Sequence, residues 1–124
     1  MIWDKANKLA QTNEAFIMVT VTHIRGEAPQ DLGAKCLVTQ AGLYFGTVGG
    51  GKIEAKAITT AQELIKNKLP SPPITHTWNL QKDIKMTCGG EMTMLFEHFP
   101  AEKWNIIIFG AGHVGQALAR SFSK

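Results

Sequence analysis

Three glycines in a row, Gly49, Gly50 and Gly51, run straight into Lys52, with Glu54 two residues further on. Glycine loses more backbone freedom on folding than any other residue, so three together need a reason. They fall between a strand-like run ending at Val48 and a helix-like run from Ile53. At such a junction the first N–H groups of the helix have no partner inside it. The helix dipole places partial positive charge at the same end. Without Cβ atoms the backbone can lie close against a ligand. These are the requirements for an anion cradle, above all one for phosphate. Lys52 sharpens the point. A cation in the first turn opposes the dipole by ~0.3–1 kcal/mol when exposed, and a bound anion reverses that sign. Glu54 is counted with the same cradle as a ligand-binding residue. The residues also allow a plainer reading, a tight turn with close packing and a solvated Lys52.

Two further groups could carry chemistry. Cys88 precedes Gly89 and Gly90, which let the backbone turn and approach. A thiol beside free N–H groups has a depressed pKa and becomes more nucleophilic or more metal-affine. Otherwise it is a buried, inert cysteine, which is the expectation for Cys36 inside an apolar strand pattern. Gly110, Gly112 and Gly115 form a GxGxxG match with His113 inside it, after a strand-like run at 105–109 and before a helical one at 114–122. That is the first turn of a dinucleotide-binding fold. The sequence stops at Lys124, before the acidic residue and the further strands of such a fold. The four histidines are scattered, with no metal-ligand spacing, so no metal site is expected.

The elements that must position these groups follow from periodicity. Ile2, Ala6, Leu9 and Ala10 predict a helix over 2–13, and the β-rich run at 15–23 predicts a buried strand. Residues 35–48 read as two strands joined by a tight turn near Gln40–Gly42. Ile53, Ala57, Ile58, Ala61, Leu64 and Ile65 mark one face of a helix, and strands follow at 74–79 and in "MTMLFEHF". Hairpins mixed with βα steps predict an α+β fold, a mixed β-sheet with flanking helices. The apolar run Ile106–Phe109 needs a partner strand, which points to a homodimer or a swapped strand.

With 124 residues, 44% hydrophobic and 19% charged, the chain has the composition of an ordinary globular domain rather than a disordered one. The net charge of +3 is spread along the chain without a basic block, which permits an anionic ligand but does not argue for nucleic acid. No apolar run approaches the ~20 residues of a membrane span, and the N-terminus lacks the apolar core of a secretory signal. Two distant cysteines make no disulfide framework. The expectation is a cytoplasmic protein with no membrane partner.

Four motifs in order, "RGEAPQDLGAK", "GTVGGGKIE", "CGG" and "IIIFGAGHVGQALA", resemble the xanthine dehydrogenase accessory-factor family of the XdhC and CoxI type. The resemblance runs from about Ala15 to the end. It implies an N-terminal domain at 1–101 and, at 102–124, the first strand and helix of a truncated Rossmann-like domain. It also implies a non-catalytic maturation factor. Such a factor binds the molybdenum cofactor, as molybdopterin or its cytosine dinucleotide form. It assists sulfuration with a cysteine desulfurase and delivers the cofactor to the apo form of a molybdenum hydroxylase. Gly49, Gly50, Gly51 and Lys52 would then meet phosphate. Cys88, with any chemical role, and Gly89 and Gly90 would face the metal end. Gly110, Gly112, His113 and Gly115 would bind a dinucleotide in a longer chain. The family pattern has a cysteine where this sequence has Lys52, an arginine at Gln30 and a methionine at Cys36. The GxGxxG match alone supports a rival reading, a fragment of an NAD(P)-linked oxidoreductase. A ligand-free interaction module is the third.

Overall fold

The computed structural model describes residues 1–67, 72–86 and 89–101. Cys88, Gly110, Gly112, His113 and Gly115 lie outside the described residues, as does the 102–124 unit. The elements run α1 (Ile2–Gln11), β1 (Phe16–Arg25), β2 (Lys35–Thr39), β3 (Gly42–Gly46), α2 (Gly51–Lys66), β4 (Ile74–Asn79) and β5 (Glu91–Phe99). The five strands form one sheet in the order β3-β2-β1-β5-β4. The fold is α+β, as the periodicity predicts. Every pairing among the described strands is antiparallel, where the sequence order led us to expect a mixed sheet. The reason is that β4 returns from α2 to the far edge and pairs only with β5, while β5 runs antiparallel to β1.

β1 is the centre of the sheet and explains its own composition. Alternate residues leave a strand on opposite faces. Ile17, Val19 and Val21 join one buried cluster, and Phe16 and Met18 join another. Both faces are covered along its first six residues, which are apolar except for Thr20. Over the first face lies α2. Its Ile53, Ala57, Ala61 and Ile65 recur every fourth residue and are buried against Cys36, Val38, Met92, Met94 and Phe96 of the sheet. Removing the Ile53 side chain from water contributes about 1.5–3 kcal/mol. Over the second face lies α1, through Ala6 and Leu9 against Phe16, Met18 and Leu37. The Thr12 hydroxyl donates to the Leu9 carbonyl and Asn13 takes a positive φ of 58°, which ends α1 and turns the chain into β1.

Candidate functional site

The site begins with how β3 hands over to α2. Gly49, Gly50 and Gly51 have φ of 140°, 71° and 58°, a left-handed run that side chains rarely adopt. The turn aims the Val48 and Gly50 N–H groups at a common point, an anion-favouring arrangement. The point is already filled. Oε1 of Glu54 accepts from the Thr47 hydroxyl, from the Val48 N–H at 3.3 Å and from the Gly50 N–H at 3.3 Å. The Gly49 N–H donates to the Thr47 hydroxyl oxygen at 3.1 Å. Each N–H from Val48 to Gly50 therefore has an acceptor within the loop. Helix geometry leaves Gly51, Lys52 and Ile53 as the N–H groups of this end without an intrahelical acceptor.

Three segments meet here. An added Cβ on Gly90 would press against the Glu27 carbonyl oxygen and stand 2.7 Å from that of Arg25, so the strand entering β5 lies against the loop leaving β1. An added Cβ on Gly49 would meet Pro29 at 2.9 Å, which places the glycine loop on the same β1–β2 connection. Lys52 reaches across to the β4–β5 connection, where its Nζ donates to the Lys85 carbonyl at 3.1 Å. Lys85 has a positive φ of 66°. The Leu80 N–H donates to the Gly90 carbonyl at 2.8 Å and the Met86 N–H to the Leu80 carbonyl at 2.9 Å, which hold this connection in place. Gly50 and Gly51, in contrast, have nothing within 4 Å of the position a Cβ would take. Open space lies over those two glycines, beside the exposed Lys52.

The three motif loops that the sequence singled out as separate stretches thus stand at one end of the sheet, with Gly49, Gly50, Gly51, Lys52, Glu54, Gly89 and Gly90 around them. The described neighbours of Cys88, Met86 and Gly89, belong to the same connection. Sequence reasoning did not single out Thr47, Pro29, Glu27 or Lys85. Thr47 had a readable signal, a hydroxyl two residues before a glycine in a turn. Glu27 and Lys85 take part through their carbonyl oxygens, which no side-chain pattern betrays.

Cys36 is buried completely in β2 beneath α2. Burial, and secondarily the Glu54 charge, push its thiol up to about 12. Such a thiol stays protonated and is core, as its strand pattern implied. Among the described residues no group of three or more His, Cys, Asp or Glu side chains is placed to hold a metal, and no helix is long and apolar enough to cross a membrane.

The arrangement of the described residues, two helices on a five-stranded antiparallel sheet with glycine loops gathered at one end, has counterparts among known proteins. The profile of the XdhC and CoxI family matches residues 9–77, more than half of the chain, and the chain belongs to that family. It is 31% identical over 123 residues to the uncharacterized protein YqeB of Escherichia coli (strain K12), covering 97% of this chain and 22% of that protein. It is 35% identical over 83 residues to the molybdenum cofactor insertion chaperone PaoD of the same organism, covering 67% of this chain and 26% of that one. The chain therefore spans about a quarter of the length of the curated relatives it matches. In three dimensions it resembles a solved structure described as a xanthine dehydrogenase from Bacillus halodurans. The TM-score is 0.66 at 22% identity, over 87% of this chain and 34% of the other, and this likeness concerns the fold.

Proposed function

We propose that this chain is the N-terminal part of an accessory protein that binds the molybdenum cofactor and assists its insertion into a xanthine dehydrogenase-type molybdenum hydroxylase. Here the cofactor is cargo. The observation that carries the reading is the open face over Gly50 and Gly51 beside Lys52, in a family member 35% identical to a molybdenum cofactor insertion chaperone. The cargo is a phosphorylated pterin, and its phosphate fits this face. The N–H groups of the exposed Gly51 and Lys52 and the Lys52 ammonium group are the donors that would hold it. Gly89 and Gly90, with Cys88 before them, stand at the neighbouring connection and would meet the molybdenum end. Sulfuration with a cysteine desulfurase belongs to the same reading, with Cys88 as the thiol. So do a cytoplasmic location, a homodimer and the division into a domain at 1–101 and a Rossmann-like unit from 102. In a longer chain, Gly110, Gly112, His113 and Gly115 would carry a dinucleotide or the nucleotide part of the cargo.

The test is binding of purified molybdenum cofactor to the full 124-residue chain, beside a Lys52→Ala variant. Saturable binding by the parent, weakened about tenfold or more in the variant, is expected from the loss of one charge-assisted hydrogen bond to phosphate. Equal binding by both would remove Lys52 and the adjoining glycines from the site. Absence of binding by the parent would overturn the reading for this chain.

A further inference from the structure

The glycine loop holds an anion of its own. We propose that Glu54 is a positioning residue: its carboxylate is the resident anion of the loop, fixes the loop's shape, and keeps small inorganic anions out of the inner concavity. The geometry is convergent. Three donors, the Thr47 hydroxyl and the Val48 and Gly50 N–H groups, meet one carboxylate oxygen, and the Gly49 N–H closes the set through Thr47. A concavity lined by backbone N–H groups favours negative charge. Filling it with a side chain from the first turn of α2 spares the loop from needing a solute to order it.

The same arrangement accounts for Lys52. Its charge in the first turn opposes the helix dipole, and the resident carboxylate two residues on offsets it with no ligand bound. The Lys52 ammonium group itself donates to the Lys85 carbonyl. Two consequences follow. The inner N–H groups of Val48 and Gly50 are not the ones that meet cargo. The outer groups, those of the exposed Gly51 and Lys52, are the ones left for it. Both consequences rest on the proposed cargo role. The occupancy of the loop stands or falls without any cofactor.

The experiment is amide hydrogen exchange by NMR on the full chain, without molybdenum cofactor, comparing the parent with Glu54→Ala. Val48 and Gly50 amides are expected to exchange about tenfold or more faster in the variant, since each loses a charge-assisted acceptor. Sodium acetate or inorganic phosphate should restore their protection in the variant and leave the parent unchanged, a rescue that a merely structural side chain would not give. Unaltered protection in Glu54→Ala, or a loss that neither anion reverses, overturns the proposal. Titration with inorganic phosphate should also show at least about tenfold tighter binding in Glu54→Ala than in the parent, the vacated concavity now accepting the anion. Equal affinity overturns it as well. Should Glu54→Ala fail to fold, Glu54→Gln carries the titration. It keeps the side chain's length but removes the charge that repels phosphate, so a gain is again expected and equality again overturns. Failure of the parent to bind molybdenum cofactor would leave these readouts intact, so the two proposals fail separately.

Discussion

Gly90 and Gly50 both belong to glycine runs next to candidate ligand-handling residues, yet they are glycine for opposite reasons. At Gly90 the missing Cβ is replaced by another loop's backbone, the carbonyl groups of Glu27 and Arg25. At Gly50 nothing occupies the space, and the residue is glycine because its φ is 71°. The first use closes a junction and the second leaves a surface. A glycine run in a sequence does not say which use is meant. The distinction matters here because only an open glycine can lie against a ligand.

The sharpest way to break this comparison is to add one methyl group at each site. Gly90→Ala forces a Cβ into fixed backbone, which cannot move aside as a side-chain tip can. We expect a loss of about 3 kcal/mol or more, the upper range for overpacking. Gly50→Ala meets no atom and carries only the cost of its φ 71°, ψ 174° backbone, a region all but reserved for glycine, about 1–3 kcal/mol. Urea denaturation of both variants measures the difference. Equal losses would mean that both positions are governed by backbone conformation alone.

Much of this was legible in the sequence. The helical spacing of Ile53, Ala57, Ala61 and Ile65 located the buried face of α2, and the nearly continuous apolar run of β1 announced a buried strand. The turn near Gln40–Gly42 also falls where expected, between the end of β2 at Thr39 and the start of β3 at Gly42. What could not be read was the pairing of β1 with β5, nine residue pairs that run from Phe16–Phe99 to Arg25–Glu91, far apart in the chain. Nothing local encodes that choice, and the expected mixed sheet was a consequence of missing it. The candidate site shows the same limit. The glycine loop and the CGG loop were visible as motifs, whereas their meeting depends on the carbonyl groups of Glu27, Arg25 and Lys85, and backbone groups are the same at every residue. The role of Glu54 was hidden for a related reason. A carboxylate near a helix start could bind a solute's counter-ion or satisfy its own loop, and only the direction of its side chain separates the two.

Cys36 extends the contrast between closed and open ground. It lies on the closed side, with its thiol pushed up to about 12 by burial and then by the Glu54 charge. An unfolded cysteine ionises near 8.5. Below that pH both states hold the proton and stability is unaffected. Above it the unfolded chain loses its proton while the native chain keeps it, so the unfolded state binds fewer protons and stability falls as pH rises. The loss should run from about pH 8.5 toward 12 and then level off. The urea midpoint measured at a series of pH values checks this. In Cys36→Ala the starting stability is lower because of the cavity, but this part of the pH slope should vanish. Retention of the full slope in the variant would assign it to other groups.

The smallest expected effect belongs to Lys52. Its bond to the Lys85 carbonyl joins α2 to the β4–β5 connection, but the side chain is exposed and water can replace either partner. Lys52→Ala should therefore change unfolding free energy by no more than about 0.5 kcal/mol, the usual range for an exposed position. The sign itself is informative. Removing a cation from the first turn relieves its opposition to the helix dipole, and removing the tether loosens the connection, so the two contributions oppose each other. A loss well above that range would mean that Lys52 is part of the closed junction with Gly90. A near-zero change, measured by the same urea titration, would place it with Gly50 and Gly51 on the open side, where a lysine has little structural work and its charge is available to an anion.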